Sequence, residues 1–304
     1  MMPEHRTTRL GVAQPTFACD IRADETDAAK VIESVMKNAA HTAELVDVAA
    51  GLGVELLCFP EDTGTICGYA DRPENQPRAR SIMRDTGEKV VDVFRAAAAK
   101  ANIHVVACAF VTQDDYVFNR AYLIGPDGED IGHYDKTHPT RGEQPFTQPG
   151  TEYPVFDTKF GRVGIVICAD FNFPEPARIL ALNGAELILC PTLGMDYGGE
   201  HMGEMRMRVR AFDSAVYVAA SMYASKRADG PGRSCIVGPK GHFLADAGYA
   251  PDTVAWADIT PTKRAIDPMD PDGKTGSNMW TVWKNNRRPG TYGAMVREED
   301  AESQ

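Results

Sequence analysis

The sequence predicts an α/β fold in which layered sheets carry helices on their outer faces. Three observations predict it. Short apolar runs of strand length alternate with longer stretches of helical periodicity along most of the 304 residues. Some of these runs are apolar without a break, such as 163–167 (VGIVI), the pattern of strands buried on both faces. No long linker, repeat or low-complexity block interrupts the alternation, so the elements share a core built in layers.

Taken in order, residues 9–13 and 54–59 (VELLCF) read as short strands, separated by a helix from about 26 to 51. A second helix, about 79–101, leads to a strand at 103–110. Residues 116–124, a Pro126-Asp127-Gly128 turn and 130–134 form a predicted hairpin. After the 163–167 strand, Pro174 and Glu175 open a helix that Asn183-Gly184 ends. Residues 186–189 return as a strand. The stretch 204–212 (EMRMRVRAF) reads as a helix whose apolar side is Met205, Val209, Phe212 and Val216. Strands near 216–222, 235–237 and 254–257 complete the body, assigned to residues 1–260. From 261 to 304 the composition changes: a turn-rich DPMDPDG, then Trp280 and Trp283 in a polar run. Such a tail is expected to pack on the body or on a partner subunit, and its end, from Arg297 on, to be solvated.

Composition excludes several classes. Lys plus Arg number 32 against 43 Asp plus Glu, a formal charge of −11, which argues against nucleic acid or an anionic membrane as partner. No apolar run reaches the roughly 18 residues a membrane helix needs, and the first ten residues are too polar for a secretory signal. The seven cysteines form no CxxC pair, so neither a zinc site nor a disulfide framework is expected, and the cytoplasm is the expected compartment. A Gly-rich phosphate loop after the first strand is missing, which removes a nucleotide-binding reading.

Three chemically useful residues each follow a predicted strand. Glu61 comes just after VELLCF, Lys136 after the hairpin and Cys168 directly after VGIVI. In α/β architectures strand ends form the ligand crevice, so the three can face one pocket. A cysteine with an ordinary pKa near 8.5 needs activation, which a lysine ammonium and a nearby helix N-terminus favour. A carboxylate can take the thiol proton and return it to a leaving amine. The N–H of Ala169 can join the lysine in stabilising a tetrahedral oxyanion.

The segment 161–192 (GRVGIVICADFNFPEPARILALNGAELILCPT) resembles the nucleophile region of the nitrilase, or carbon–nitrogen hydrolase, superfamily. CFPE at 58–61 resembles its glutamate motif and YDKTHPTRGE at 134–143 its lysine motif, in the family's order, over about residues 8–260. The resemblance implies a four-layer α-β-β-α sandwich and a Glu-Lys-Cys triad that needs no metal or organic cofactor. Glu61 would be the general base and acid, Lys136 the transition-state stabiliser, Cys168 the nucleophile, and Glu143 a further carboxylate orienting substrate or lysine. Homodimers or larger homo-oligomers are expected on the same ground.

Other candidates read more plainly. Cys58, Cys108 and Cys190 sit inside apolar runs and read as inert core thiols. His138 is expected to be a structural hydrogen-bonding residue rather than a metal ligand with Glu143. Arg206, Arg208 and Arg210 are expected on a helix surface or interface, and Lys284, Arg287 and Arg288 in solvent. For the substrate, nitrilases proper typically carry Cys-Trp-Glu, whereas this chain has Cys168-Ala169-Asp170, which is more like amidases and carbamoylases. Carbamoylases place arginines where this chain has Phe171 and Asn172. Amide hydrolysis is therefore favoured, N-carbamoyl hydrolysis comes second and nitrile hydrolysis third, with a catalytically silent binding protein as the non-enzyme alternative. Arg141, Asn172, Met195, Tyr197 and His201 are expected, from loop position, to line the small-molecule pocket.

Overall fold

The structure, a computed structural model, describes residues 6–194, 202–224, 232–263 and 278–296. Two six-stranded sheets carry the fold. The first has the order β12-β1-β2-β3-β4-β5 and the second β11-β10-β9-β8-β7-β6. Their strands are β1 (Thr8–Gln14), β2 (Leu56–Cys58), β3 (His104–Gln113), β4 (Tyr116–Ile124), β5 (Asp130–Asp135), β6 (Val155–Thr158), β7 (Gly161–Ile165), β8 (Leu187–Pro191), β9 (Tyr217–Ser221), β10 (Cys235–Val237), β11 (Phe243–Asp246) and β12 (Thr253–Ile259). Each sheet has three parallel strands, β1-β2-β3 and β7-β8-β9, flanked by antiparallel ones.

The helices are α1 (Ala28–Gly51), α2 (Cys67–Ala70), α3 (Gln76–Ala101), α4 (Glu175–Leu182), α5 (Met202–Ser214) and α6 (Met279–Asn286). The layering can be read from β3, whose side chains alternate across the pleat. Val105, Ala107, Ala109 and Val111 join a core with Val31 and Val35 of α1 and Val90 and Phe94 of α3. Val106 and Cys108 point the other way, into a seam with Ile165, Leu187, Leu189 and Ile236 of the second sheet. Against the outer side of that sheet lies α4. A Cβ at Gly164 would stand 2.9 Å from Leu180 Cδ2, so the glycine lets the helix rest directly on β7.

Element ends follow local chemistry. The Asp27 carboxylate accepts from Ala29 N–H at 3.0 Å and starts α1 there. Pro77, in the first turn, lets α3 begin at Gln76, earlier than expected, and left-handed Asn102 ends it. β7 ends at Ile165 rather than 167, because Ile167 N–H turns from the ladder to the Asp170 side chain at 2.8 Å. The edge strands β6 and β11 escaped the sequence reading; both are half exposed, so neither carries an unbroken apolar run. The helix over 204–212 exists as α5, but its inward stripe is Gly203, Met207, Ala211 and Ser214. Met205 and Val209, expected inside, are 57% and 49% exposed.

The chain divides into two compact units, Met1–Lys263 and Arg264–Gln304. In the second, α6 is opened by the Asn278 side chain accepting from Thr281 N–H at 2.9 Å, and two short 3-10 turns follow it. Among the described residues no helix is long and apolar enough to cross a membrane.

Candidate active site

The end of β2 delivers Glu61. Phe59 N–H makes a last ladder bond to Val106 O at 2.9 Å, and Thr63 N–H then reaches Cys108 O at 2.8 Å. Between them Asp62 takes a left-handed backbone with φ of 53°. The end of β5 delivers Lys136, whose N–H donates to Asn119 O at 2.9 Å, so the lysine is fixed by its backbone before its side chain is considered.

The two side chains meet in the interior. Lys136 Nζ donates to Glu61 Oε1 at 2.7 Å and to Glu143 Oε2 at 2.6 Å, and all three residues are only 1% exposed. Burying an ion costs several kcal/mol, while one close ion pair returns roughly 4 kcal/mol at an effective dielectric of 20. One carboxylate would leave the lysine near balance. Burial pushes its pKa down, yet the Glu61 and Glu143 carboxylates leave it raised, so the ammonium stays charged.

Two carboxylates facing one lysine need further donors, and the chain supplies them. Asn119 Nδ2 donates to Glu61 Oε1 at 2.8 Å and to Glu143 Oε1 at 2.6 Å. The N–H of Thr140 bonds Glu143 Oε2 at 2.8 Å and that of Leu193 bonds Glu61 Oε2 at 3.3 Å. Asn119 Oδ1 in turn accepts the Cys108 thiol at 3.1 Å, giving that core cysteine a polar partner that its apolar run did not suggest.

Cys168 begins a short 3-10 turn, Cys168–Asn172, with a left-handed φ of 45°. A non-glycine residue held there is strained, and such strain clusters at functional turns. The thiol is buried, which pushes its pKa up to about 12. The Glu61 carboxylate adds to the rise, while the Lys136 ammonium and a hydrogen bond with Thr192 oppose it. Lys136 favours the thiolate as expected, while burial and Glu61 act against it, and α4 starts only at Glu175, seven residues on. Glu61, Lys136 and Cys168 thus feel one another's charge, brought together from strand ends of both sheets.

Asp170 ties the nucleophile turn to the lysine loop. Its Oδ2 accepts from Tyr134 OH and Ile167 N–H, each at 2.8 Å. Its Oδ1 accepts from Thr137 Oγ1 at 3.0 Å and His138 N–H at 2.9 Å, and lies 2.9 Å from His138 Nδ1. The His138 ring stacks on Phe173, centroids 4.3 Å apart. His138 is therefore a structural hydrogen-bonding residue turned to Asp170, whereas Glu143 is turned to Lys136.

Ala169 is buried beside Cys168, while Arg141 and Asn172 are exposed along a neighbouring groove that Ala169 also lines. Met195, Tyr197 and His201 lie outside the described residues. Asn119 and Thr192 were missed by the sequence reading. A lone amide inside the apolar strand 116–124 was the available signal for the first, since buried polar groups require partners.

A sequence model of the carbon-nitrogen hydrolase family matches residues 17–265. The chain belongs to this family. A nitrilase of Pyrococcus abyssi is 33% identical over 228 residues, 73% of this chain and 83% of that protein. A deaminated glutathione amidase of Synechocystis is 28% identical over 248 residues, 76% of this chain and 88% of its own. In fold, the chain resembles a carbon-nitrogen hydrolase from Helicobacter pylori, with a TM-score of 0.75 and 23% identity over 97% of this chain and 99% of that one. The four layers of helix, sheet, sheet and helix are those of the carbon-nitrogen hydrolases.

Proposed function

We propose that this carbon–nitrogen hydrolase cleaves a non-peptide amide to acid plus ammonia or amine, through a thioester on Cys168. The observation that carries the reading is the 2.7 Å bond between Lys136 Nζ and Glu61 Oε1, with the Cys168 thiol under the influence of both. A thiol held up at about 12 is not a thiolate waiting for substrate. It must lose its proton as it attacks, and Glu61 is the base placed to take it.

In the first half-reaction Cys168 Sγ bonds to the carbonyl carbon and its proton passes to Glu61. Lys136 and the N–H of Ala169 stabilise the oxyanion. The carbon–nitrogen bond then breaks as Glu61 hands the proton to the departing nitrogen, leaving the thioester. In the second half, Glu61 takes a proton from water as its oxygen attacks the thioester carbon. The carbon–sulfur bond breaks, the acid leaves and the proton returns to sulfur. Glu143 and Asn119 hold Lys136 and Glu61 in place throughout. The steps use side chains and water alone, so no metal or organic cofactor takes part in them.

The name of the Pyrococcus relative supports a nitrile as the second substrate class to assay, and N-carbamoyl compounds complete the panel. Wild type and Cys168→Ala are incubated with all three classes and ammonia release is measured alongside intact mass. Amide turnover with an acyl adduct on wild type alone is expected. Silence across the panel with no adduct supports a binding protein instead. A cytoplasmic site suits a nucleophile that must stay reduced. Self-association is part of the same reading, supported by the exposed Met202, Met205 and Val209 on α5.

A further inference from the structure

We propose that the groove between the lysine loop and the nucleophile turn receives the far end of the substrate, and that this end carries a carboxylate read by Arg141. The proposal rests on the amide-hydrolase reading and narrows its substrate class.

The groove measures about 550 Å³, and Thr137, His138, Arg141, Ala169, Asn172 and Phe173 are among its lining residues. Ala169, the residue after Cys168, lines it, so the groove borders the nucleophile turn. A methyl group at that position leaves room for an extended substrate where a large side chain would fill it.

The charge of the lining is one-sided. Among the described residues that line it, Arg141 and His138 are the only ionisable side chains and none is a carboxylate. His138 Nδ1 is already engaged at Asp170. Arg141, by contrast, makes no hydrogen bond or ion pair among the described residues. In a chain of net charge −11, a groove whose described lining has a guanidinium and no acid is set up for an anion. The planar fork of arginine matches a carboxylate, and the Asn172 amide on the same groove offers a further donor.

The guanidinium is also carried on a fixed turn. Glu143 N–H donates to Thr140 O at 2.9 Å, and Thr140 N–H donates to Glu143 Oε2 at 2.8 Å. That same oxygen accepts Lys136 Nζ. Behind the turn Gly142 packs so closely on Asp71 that a Cβ would stand 2.6 Å from Asp71 Oδ1. Arg141 therefore rides on a backbone locked to the catalytic cluster, which reduces the ordering a ligand must impose.

The carboxylate can sit on either side of the scissile bond, and matched substrates separate the two cases. Succinamic acid against butyramide places it on the acyl side. N-propionylglycine against N-propylpropionamide places it on the leaving amine. For one of these pairs, wild type is expected to favour the acidic member in kcat/KM. Arg141→Ala should cut that acidic-to-neutral ratio at least about tenfold, and Arg141→Lys should restore part of it. An unchanged ratio in Arg141→Ala overturns the proposal.

Binding gives a second readout. Calorimetry of Cys168→Ala with the favoured acid should show affinity that falls at least about tenfold when Arg141→Gln is added. Equal affinity in the two proteins overturns the proposal even if amides are hydrolysed. Conversely, Arg141-dependent binding in a protein that turns over nothing in the panel supports the groove and sinks the hydrolase reading.

Discussion

The Asp170 carboxylate, two residues beyond Cys168, accepts the backbone N–H of His138, two residues beyond Lys136, at 2.9 Å. This one contact joins the loop that follows β5 of the first sheet to the turn that follows β7 of the second. With Tyr134, Thr137 and Ile167 as further donors, the buried carboxylate fixes how far the nucleophile stands from the lysine.

Asp170→Asn keeps the shape but removes the charge and presents an NH2 where donors converge. Leaving a buried charged network half-paired costs about 3 kcal/mol. The expected outcome is a lower melting temperature and a kcat reduced by about 10²-fold, since small misplacements of reacting groups are costly. Calorimetry and steady-state kinetics check both. A variant with full kcat removes Asp170 from the positioning of the site.

Glu61→Gln should separate two quantities that usually move together. The carboxylate helps hold the Cys168 thiol up at about 12, so its removal lowers the pKa. Iodoacetamide labelling of Cys168, followed by mass spectrometry against pH, should therefore show a midpoint displaced downward. Turnover should collapse in the same protein, because the base is gone. A midpoint that rises or stays put contradicts the assignment of Glu61 as the nearby negative charge.

Asn119 holds both carboxylates by a single amide nitrogen. Asn119→Ala leaves each short of one donor, and a fall in kcat of about 10- to 100-fold with little change in KM is expected. Asn119→Asp adds a negative charge beside Glu61 and Glu143, which favours their protonated forms. The acid limb of kcat/KM should shift to higher pH. A residue that merely filled space would leave that limb where it was.

Asp62 offers a stability test with a definite sign. Burial, the largest influence, pushes its carboxyl up to about 7 from 3.8, against hydrogen bonds from the N–H groups of Cys67 and Ile66. With the folded value above the unfolded one, the folded protein binds the extra proton between those pH values. Its contribution is present below about pH 4 and is lost as pH rises through 7. Asp62→Asn should gain melting temperature relative to wild type on going from pH 5 to pH 8. A difference independent of pH refutes the raised value.

Truncation after residue 260 addresses assembly. If the tail with Trp280 and Trp283 is an interface element, light scattering should report fewer subunits per particle for the shortened chain. An unchanged subunit number removes the tail from the interface.

The parts legible in the sequence were those with strong local signals. Unbroken apolar runs such as 105–111 and 163–167 marked central strands, and Glu61, Lys136 and Cys168 lay in recognisable motifs at strand ends. Half-exposed edges at Val155–Thr158 and Phe243–Asp246 had no comparable pattern. The inward side of α5 was misread because Met205 and Val209 are apolar yet exposed, and apolar character alone does not say what covers a face. Asn119 and Thr192 act across long sequence separations, so no local spacing announces them. The opposing pull on the thiol was hidden for a related reason: Lys136 was visible as a charge, but the depth of burial was not.

The nucleophile and the base stand on opposite sides of a seam packed with apolar side chains, Leu56, Val106 and Cys108 against Ile165, Leu187 and Leu189 among them. Turnover is therefore a gauge of the gap between the two sheets. Trimming that gap at Val106 or Leu189 should make thermal inactivation run ahead of the loss of helical circular dichroism. The helices would still be intact while the two halves of the catalytic machinery had already drifted out of register.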